Sequence, residues 1–516
     1  RAYVLCDFWN LTMSQTSNSL FSNSSKLFST ILLFILCLIT AGCVNYIGIG
    51  SNKKIAKPTQ FQTNKSLPKQ HGHWPTTAWA RQFGDPQLVD LIHEALANNP
   101  SLQATRARIA QAQGMADEKL AALYPSINGH AAVDRVRLSS HHLLAHPLSN
   151  SIFTQTALLA DLNYTLDIWG KNMSSLKQAI SEERASEAAF QEARLSLATS
   201  IASTYNQLAY YYALRDVLRR TVAQRESLAK LSVIRLHTGL DTRTQVFQSR
   251  NSTETARTQL ISTEGQIILT RQQLGVLLGK GPDRGLTIRK PQLKTIKTPQ
   301  LPPNLPLNLL GRRPDIVSAR WKVEAACQGI NYTKARFYPN VNLTAGAAYL
   351  SLSLSHFIAT ANAEYLGPAI SLPLFDAGSL RAQLRQDYAS YEEAVANYND
   401  TLNNAYSDVA SQLTNILSID RQLVTQKAAL YAAEHAYNLA RFQYRTGLTS
   451  QLVVLNAETS FLNEQQTRLQ LLTNRRNLQI SLIKALGGGF GAPCKACKVI
   501  KQTTVCCRSP KQSMKG

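Results

Sequence analysis

The chain has 516 residues, a formal net charge of +23 at pH 7, 44% hydrophobic residues and 17% charged residues. The length allows several domains, and the positive charge raises nucleic acid as a partner. Aromatic-basic interleaving and binding motifs are absent, however, and the export signal that follows contradicts a nucleic-acid role. No stretch beyond residue 50 is apolar enough for a transmembrane helix.

Residue 1 is Arg and the first Met is Met13, so residues 1–12 read as lying upstream of the true start. Residues 13–42 read as a signal peptide, with Lys26 before the apolar run Leu27 to Ala41 and then Gly42-Cys43. A Cys directly after Ala41-Gly42 resembles the lipobox of bacterial lipoproteins, although Thr40 stands where that motif usually has Leu. Cys43 is therefore the expected lipidation site and first mature residue. An ordinary signal peptide with an incidental Cys is the alternative. Residues 43–73 read as a lipidated, basic and mostly solvated linker, with Lys53, Lys54, Lys57, Lys65 and Lys69. Attraction to anionic lipid is the other reading of that charge.

The folded part begins at Trp74 and contains one unit twice. The first repeat is expected over 74–280 and the second over 307–490, joined by a Pro-rich linker over 281–306. Asp85-Pro86 opens a short amphipathic helix with Leu88, Leu91, Ile92, Ala95 and Leu96 on one face. Asn99-Pro100-Ser101 starts the next helix, which ends at Tyr124-Pro125; Arg313-Pro314-Asp315 and Tyr338-Pro339 repeat both marks. Lys171 to Thr238 and Leu380 to Thr446 are free of Gly and Pro, the two residues that most reliably break helices. At ~1.5 Å per residue each is a helix of about 100 Å. Each ends at the same turn, Thr238-Gly239-Leu240 or Thr446-Gly447-Leu448, and is followed by a shorter return helix. The offset, 447 − 239 = 208, holds again at Gly279 and Gly487. Leu260, Ile267 and Leu274, like Leu455, Leu462 and Leu469, recur every seven residues and read as helix packing rather than as a site.

Between the short and long helices the period changes to two. Ile127 to Val133, Leu158 to Leu166, Val341 to Tyr349 and Leu366 to Leu374 alternate apolar and small or polar residues, giving four strands with one apolar face and one wet face. The rows Leu158/Leu162/Leu166 and Leu366/Ile370/Leu372 are expected to face lipid or packed neighbours, and Asp161 and Asn163 a lumen. Four strands do not close a barrel, and an open sheet edge does not sit in lipid. If the strands span a membrane, several chains share one barrel; a small soluble sheet is the alternative.

Enzyme chemistry finds no support, and no cofactor or metal is expected. His141, His142 and His146 fall in one inter-strand loop and read as solvated. Cys494, Cys497, Cys506 and Cys507 lack zinc-ribbon spacing. They fall in 491–516, a basic tail read as disordered. Within 44–490 the one Cys is Cys327, so no internal disulfide forms there.

The motifs Phe83-Gly84-Asp85-Pro86-Gln87-Leu88, Leu310-Gly311-Arg312-Arg313-Pro314-Asp315-Ile316, Phe337-Tyr338-Pro339 and Leu372-Pro373-Leu374-Phe375-Asp376-Ala377-Gly378, with the two tips, resemble the TolC-type outer-membrane export channels. The likeness is to the lipoprotein branch that serves RND efflux pumps, and it covers residues 74–490. It implies a mainly α fold of duplicated long hairpins forming an α-barrel, with four strands per chain in a trimeric 12-stranded transmembrane β-barrel. It further implies a homotrimer in the outer membrane of a Gram-negative cell, with a periplasmic adaptor and an inner-membrane RND-type pump as partners alongside outer-membrane lipid. The tips Thr238, Gly239, Leu240, Thr446, Gly447 and Leu448 are the expected adaptor contacts. Asn456 stands where many relatives have Asp, and is a possible aperture residue. The expected function is passive exit of small molecules in a tripartite efflux system. Type I protein secretion, metal efflux, or a non-conducting coiled-coil envelope lipoprotein are the alternatives.

Overall fold

The computed structural model describes residues 46–57, 60–61, 65–67, 72–137, 139, 151–294, 301–302, 305–351 and 362–491. In chain order the elements are a 3-10 turn Trp79–Phe83, α1 Pro86–Asn98, α2 Pro100–Ala121, β1 Ser126–Arg137, β2 Ile152–Leu166, α3 Lys171–His237, α4 Arg243–Leu277, α5 Pro282–Leu286, α6 Leu305–Arg312, α7 Pro314–Ala335, β3 Asn340–Ser351, β4 Asn362–Ser371, α8 Ser379–Arg445 and α9 Gln451–Ala485. The duplication is visible in the lengths. The helices α2 and α7 each have 22 residues, α3 and α8 each 67, and α4 and α9 each 35. Cys43, residues 1–42, His141, His142, His146 and the Cys-containing tail lie outside the described residues.

The chain forms two compact units, and each draws on both sequence halves. One unit, which includes residues 122–174 and 330–388, holds the sheet. Its strands run β1-β2-β3-β4, antiparallel throughout, so β1 and β4 are both edges. The register puts Ile127, Leu162, Ala345 and Leu366 in one cross-strand row, and Leu166, Val341 and Ile370 in another on the same face. Asn128, Asp161, Gly346 and Tyr365 form a row on the other face. There Asp161 accepts from Asn128 (3.2 Å) and Asn163 (2.7 Å), with His130 Nε2 at 3.1 Å. A Cβ on Gly346 would collide with the Tyr365 ring, so the missing side chain is what lets that ring lie across the strand. The alternation of apolar and polar rows follows the sequence pattern. One part of the expectation fails: β4 ends at Ser371, because Pro373 cannot continue a ladder, and Leu372 and Leu374 lie beyond it.

Helix starts in this unit are set by carboxylates. Asp167 accepts from the backbone N–H of Asn172 (3.0 Å) and Met173 (2.7 Å), and Asp376 from Gly378 (3.0 Å) and Leu380 (2.7 Å). Those bonds to Leu380 and Gly378, against little burial, hold the Asp376 carboxyl below its ordinary pKa.

The other unit, which includes residues 51–121, 175–329 and 389–491, holds the long helices. A core there joins Phe83, Leu88, Leu91, Tyr205, Leu208 and Leu274. Asp85 caps α1 by accepting from Gln87 N–H (3.0 Å) and takes two further bonds, from the Tyr205 hydroxyl (2.7 Å) and Gln292 N–H (2.7 Å). Burial and the Asp85 carboxylate push the Tyr205 hydroxyl far above its ordinary pKa. The most specific sequence motif turns out to be a clamp. Arg313 pairs with Asp315 (2.6 Å) and Asp408 (3.3 Å) and donates to the Ala485 carbonyl (3.4 Å), tying α7 to α8 and to the end of α9.

The expected linker, 43–73, is more engaged than a solvated segment. Ser51 donates to Glu392 (2.7 Å), Ala56 N–H to Asn399 (2.8 Å), and Phe61 packs on Tyr406. These partners are seven residues apart on α8, so the strap follows one helix stripe. In the Pro-rich segment after Gly281, the chain forms the short helix α5, and Lys294 N–H donates to Phe83 O (2.9 Å). Of the heptad residues, Ile267 and Leu274 are buried and Leu455, Leu462 and Leu469 are half-buried. No helix among the described residues is long and apolar enough to cross a membrane.

Candidate functional site: the paired hairpin tips

At both tips the backbone is the same. Gly239 has φ +72° and Gly447 φ +82°, a region a side chain resists. Leu240 N–H reaches back to Arg235 O (2.8 Å) and Gly239 N–H to Leu236 O (3.1 Å); Leu448 N–H reaches Gln443 O (2.8 Å) and Gly447 N–H Tyr444 O (3.2 Å). This is the Schellman end, which satisfies two helix carbonyls. Thr238 and Thr446 return their hydroxyls to α3 and α8 carbonyls. A Schellman turn often packs the residue after its Gly on the preceding helix. Here Leu240 stays 65% exposed and Leu448 76%, so most of each side chain is left uncovered by its own chain. Phe247, Leu452 and Val453 are exposed nearby in sequence.

Behind the turns lies a polar lock that the sequence reading missed. Arg235 pairs with Asp241 (3.0 Å), and Tyr444 donates to the same Asp241 oxygen (2.7 Å). The Arg235 guanidinium also lies over the Tyr444 ring, 4.7 Å from its centre, and donates to Tyr444 O (3.2 Å). Burial, then the Asp241 carboxylate, pushes the Tyr444 hydroxyl well above its ordinary pKa. Further from the tip, Gln451 donates to Ser249, which accepts from Ser232 (3.3 Å). Leu228, Tyr437, Ala440, Tyr444 and Val454 form a small core there. Beside it the Glu458 carboxylate, 1% exposed, pairs with Arg225 (2.9 Å), which also donates to Ser252 O (2.8 Å). Desolvation raises the Glu458 pKa, and Arg225 offsets part of the rise.

Asn456 lies exposed on α9, two residues from Glu458, with its carbonyl accepting from Ser460 (3.1 Å). The structure thus brings the two tip triplets onto one pair of linked hairpins and places Asn456 five residues past Gln451 on α9. Of the missed residues only Arg235 and Asp241 carried a readable signal, as opposite charges within four positions of Gly239 in a chain only 17% charged. Among the described residues no group of three or more His, Cys, Asp or Glu is arranged to hold a metal.

A family model described as "Outer membrane efflux protein" matches residues 91–280 and 305–488. The fusaric acid resistance protein FusA of Burkholderia cepacia is 35% identical over 369 residues, 69% of this chain and 68% of its own. The probable outer membrane lipoprotein SilC of Salmonella typhimurium is 28% identical over 469 residues, 90% of this chain and 99% of its own. The crystal structure of the outer membrane protein VceC from Vibrio cholerae superposes with a TM-score of 0.76 at 34% identity, covering 81% of this chain and all of that one. The duplicated hairpins and four-stranded sheet are therefore a channel architecture, and the chain belongs to the outer membrane efflux protein family, as an efflux channel subunit of the outer membrane.

Proposed function

We propose that three copies of the chain close one 12-stranded barrel and one α-barrel, giving small molecules a passive route to the exterior, with the tips docked on a periplasmic adaptor of an RND-type pump. The observation that carries this is the pairing of two open sheet edges, β1 and β4, with an apolar sheet face. Such a sheet enters lipid only when neighbours cap its edges. The exposed leucines after Gly239 and Gly447 support docking at the tips, since three chains present six of them and weak contacts add in a ring. Cys43 is the proposed lipid attachment, supported by the lipoprotein name of a relative matched over nearly its whole length. Asn456 is the proposed aperture residue; an uncharged ring there predicts weak cation block, and Asn456→Asp should strengthen it. The resistance name of the 35% relative favours small organic cargo over proteins. No step of this function is enzymatic.

The test is Leu240→Glu with Leu448→Glu. Export falls to background while trimers still assemble in the outer membrane; wild-type export in that variant removes the tips from the mechanism. The barrel half is tested separately: Leu162→Arg lowers trimer yield more than Asn163→Arg, because a charge facing lipid costs up to about 2–4 kcal/mol and one facing a lumen much less. Equal yields reject the assigned faces.

A further inference from the structure

At the ends of β2, β3 and β4 the sheet-bearing unit contains a cavity of about 230 Å³, lined among others by Leu166, Trp169, Lys171, Arg336, Tyr338 and Asn340. Its wall is rigid. Trp169 stacks on Tyr338 with ring centres 4.6 Å apart, and its indole N–H donates to Pro339 O (2.9 Å). Two cations line it. Lys171 donates to the Asn340 side chain (3.0 Å), and Arg336 is exposed with the Tyr332 ring 5.9 Å from its guanidinium. Two carboxylates lie close by: Asp167, which also lines the cavity, and Asp376, whose charge acts on Arg336; each turns its oxygens to two backbone N–H groups at a helix start, so Lys171 and Arg336 are the charged donors that line the cavity.

The surroundings are apolar. Leu374 is 85% exposed and Phe375 89%, and Ile168 and Trp169 are exposed on the matching turn after β2. From the same strand ends the row Leu166–Val341–Ile370 opens the apolar sheet face. A ligand suited to this place has an anionic head for Arg and Lys, an interfacial zone for indole and phenol, and apolar tails. Arg and Lys stems also keep their charged ends at the headgroup level while lying on apolar surface.

We propose that this cavity binds the phosphate of a membrane glycerophospholipid, with Arg336 and Lys171 as its cations, the Trp169–Tyr338 stack at the carbonyl level and the acyl chains along the Leu166–Ile370 row. The site rests on the reading of the sheet as membrane-embedded. A soluble phosphate shares the head chemistry but lacks the tails, so the two sources are separable.

The experiment uses the full-length assembled protein in detergent, titrated with dioleoylphosphatidylglycerol, with bound lipids counted by native mass spectrometry. Conductance in planar bilayers is measured on the same preparations. Arg336→Gln with Lys171→Gln is expected to lower lipid occupancy at fixed concentration about tenfold, with assembly and conductance retained. Arg336→Gln alone, at an exposed position, should give a smaller drop and covers the case in which the double variant does not assemble. Unchanged occupancy in both variants overturns the site. Displacement of the lipid by millimolar inorganic phosphate also overturns it, in favour of a free-anion site. A wild-type protein that binds lipid here but does not conduct would instead reject the channel reading.

Discussion

The two hairpin tips share a backbone and differ in what their side chains do. Both turn through a Gly at positive φ with the same pair of reverse hydrogen bonds. Yet across the offset of 208 (447 − 239), Arg235 stands opposite Gln443, Asp241 opposite Thr449, Arg225 opposite Ala433 and Glu458 opposite Arg250. The first tip carries the Arg235–Asp241 pair; the second offers Tyr444 to it. The second return helix carries Glu458, and the first outgoing helix carries the Arg225 that neutralises it. Backbone reversal leaves little choice of residue, so both copies keep the same turn. Charges are free to redistribute, and duplication has turned two like hairpins into complementary ones.

The deepest asymmetry is Glu458 with Arg225, and breaking it should have the largest effect. Glu458→Ala leaves a buried guanidinium without its carboxylate, a loss of about 3–5 kcal/mol. The measurement is thermal unfolding with proteolysis at the tips; a shift no larger than that of an exposed control such as Glu434→Ala would reject the pair's role. The pH dependence has a definite sign. Burial lifts the folded Glu458 pKa above its ordinary 4.5, and Arg225 opposes only part of that. The folded state therefore takes up this proton more readily than the unfolded one. Stability from this group is fully present below 4.5 and is lost as pH rises through the folded value. The stability of wild type relative to Glu458→Gln should accordingly improve as pH is lowered from 7 toward 4.5. A relative loss over that window would contradict the assignment.

Next in size is the lock between the tips. Asp241→Ala strands Arg235, which is largely buried, whereas Tyr444→Phe removes one hydroxyl from the same oxygen. An uncompensated buried charge costs more than a missing neutral donor, about 1–3 kcal/mol or more against about 1 kcal/mol. Amide hydrogen exchange over 228–246 and 437–454 reads the difference. Equal acceleration in the two variants would mean the lock acts as a hydroxyl contact alone.

These features divide cleanly by how far they were legible in the sequence. Elements with a periodic or punctuated signal were readable: the 67-residue helices, because nothing in them breaks a helix, and the tips, because Gly239 and Gly447 mark the only affordable reversal. The apolar and polar rows of the sheet were readable because a strand alternates whatever its partner. Where β4 stops runs against the pattern, since Leu372 and Leu374 keep the alternation while Pro373 ends the ladder. The contacts Arg225–Glu458 and Asp241–Tyr444 join residues more than 200 positions apart, with no spacing rule to reveal them. The contacts of Ser51, Ala56 and Phe61 along α8 were hidden for the same reason. These residues look solvated until Glu392, Asn399 and Tyr406 appear beside them.

If the turn itself is what duplication preserved, the two glycines should be interchangeable in cost. Neither would place a Cβ within 4 Å of another group, so Gly239→Ala and Gly447→Ala pay only for positive φ, about 1 kcal/mol each. Matched losses in unfolding midpoint support equivalence. A markedly larger loss at one tip would show that its Gly serves a contact as well as a conformation.

The smallest effect concerns how the return helices begin. In the first hairpin Thr242 and Gln245 form a capping box, in which the Gln245 side chain accepts from Thr242 N–H and from the Thr242 hydroxyl (2.6 Å). In the second, Ser450 stands at the same place without a side-chain cap bond, and the residue three positions on is Val453, which has nothing to accept with. Gln245→Ala should therefore fray the start of α4 by about 0.5–1 kcal/mol, while Val453→Ala should leave the start of α9 unchanged. The converse substitution sharpens the comparison. Val453→Gln installs the missing acceptor at an exposed position, and should slow amide exchange at Ser450 toward the rate seen at Thr242. Because the altered group is exposed and touches no buried partner, the expected gain is local and leaves the global midpoint nearly still. If Val453→Gln has no effect on exchange at Ser450, the two tips differ in backbone as well as in side chain, and the shared-turn account fails at the second hairpin.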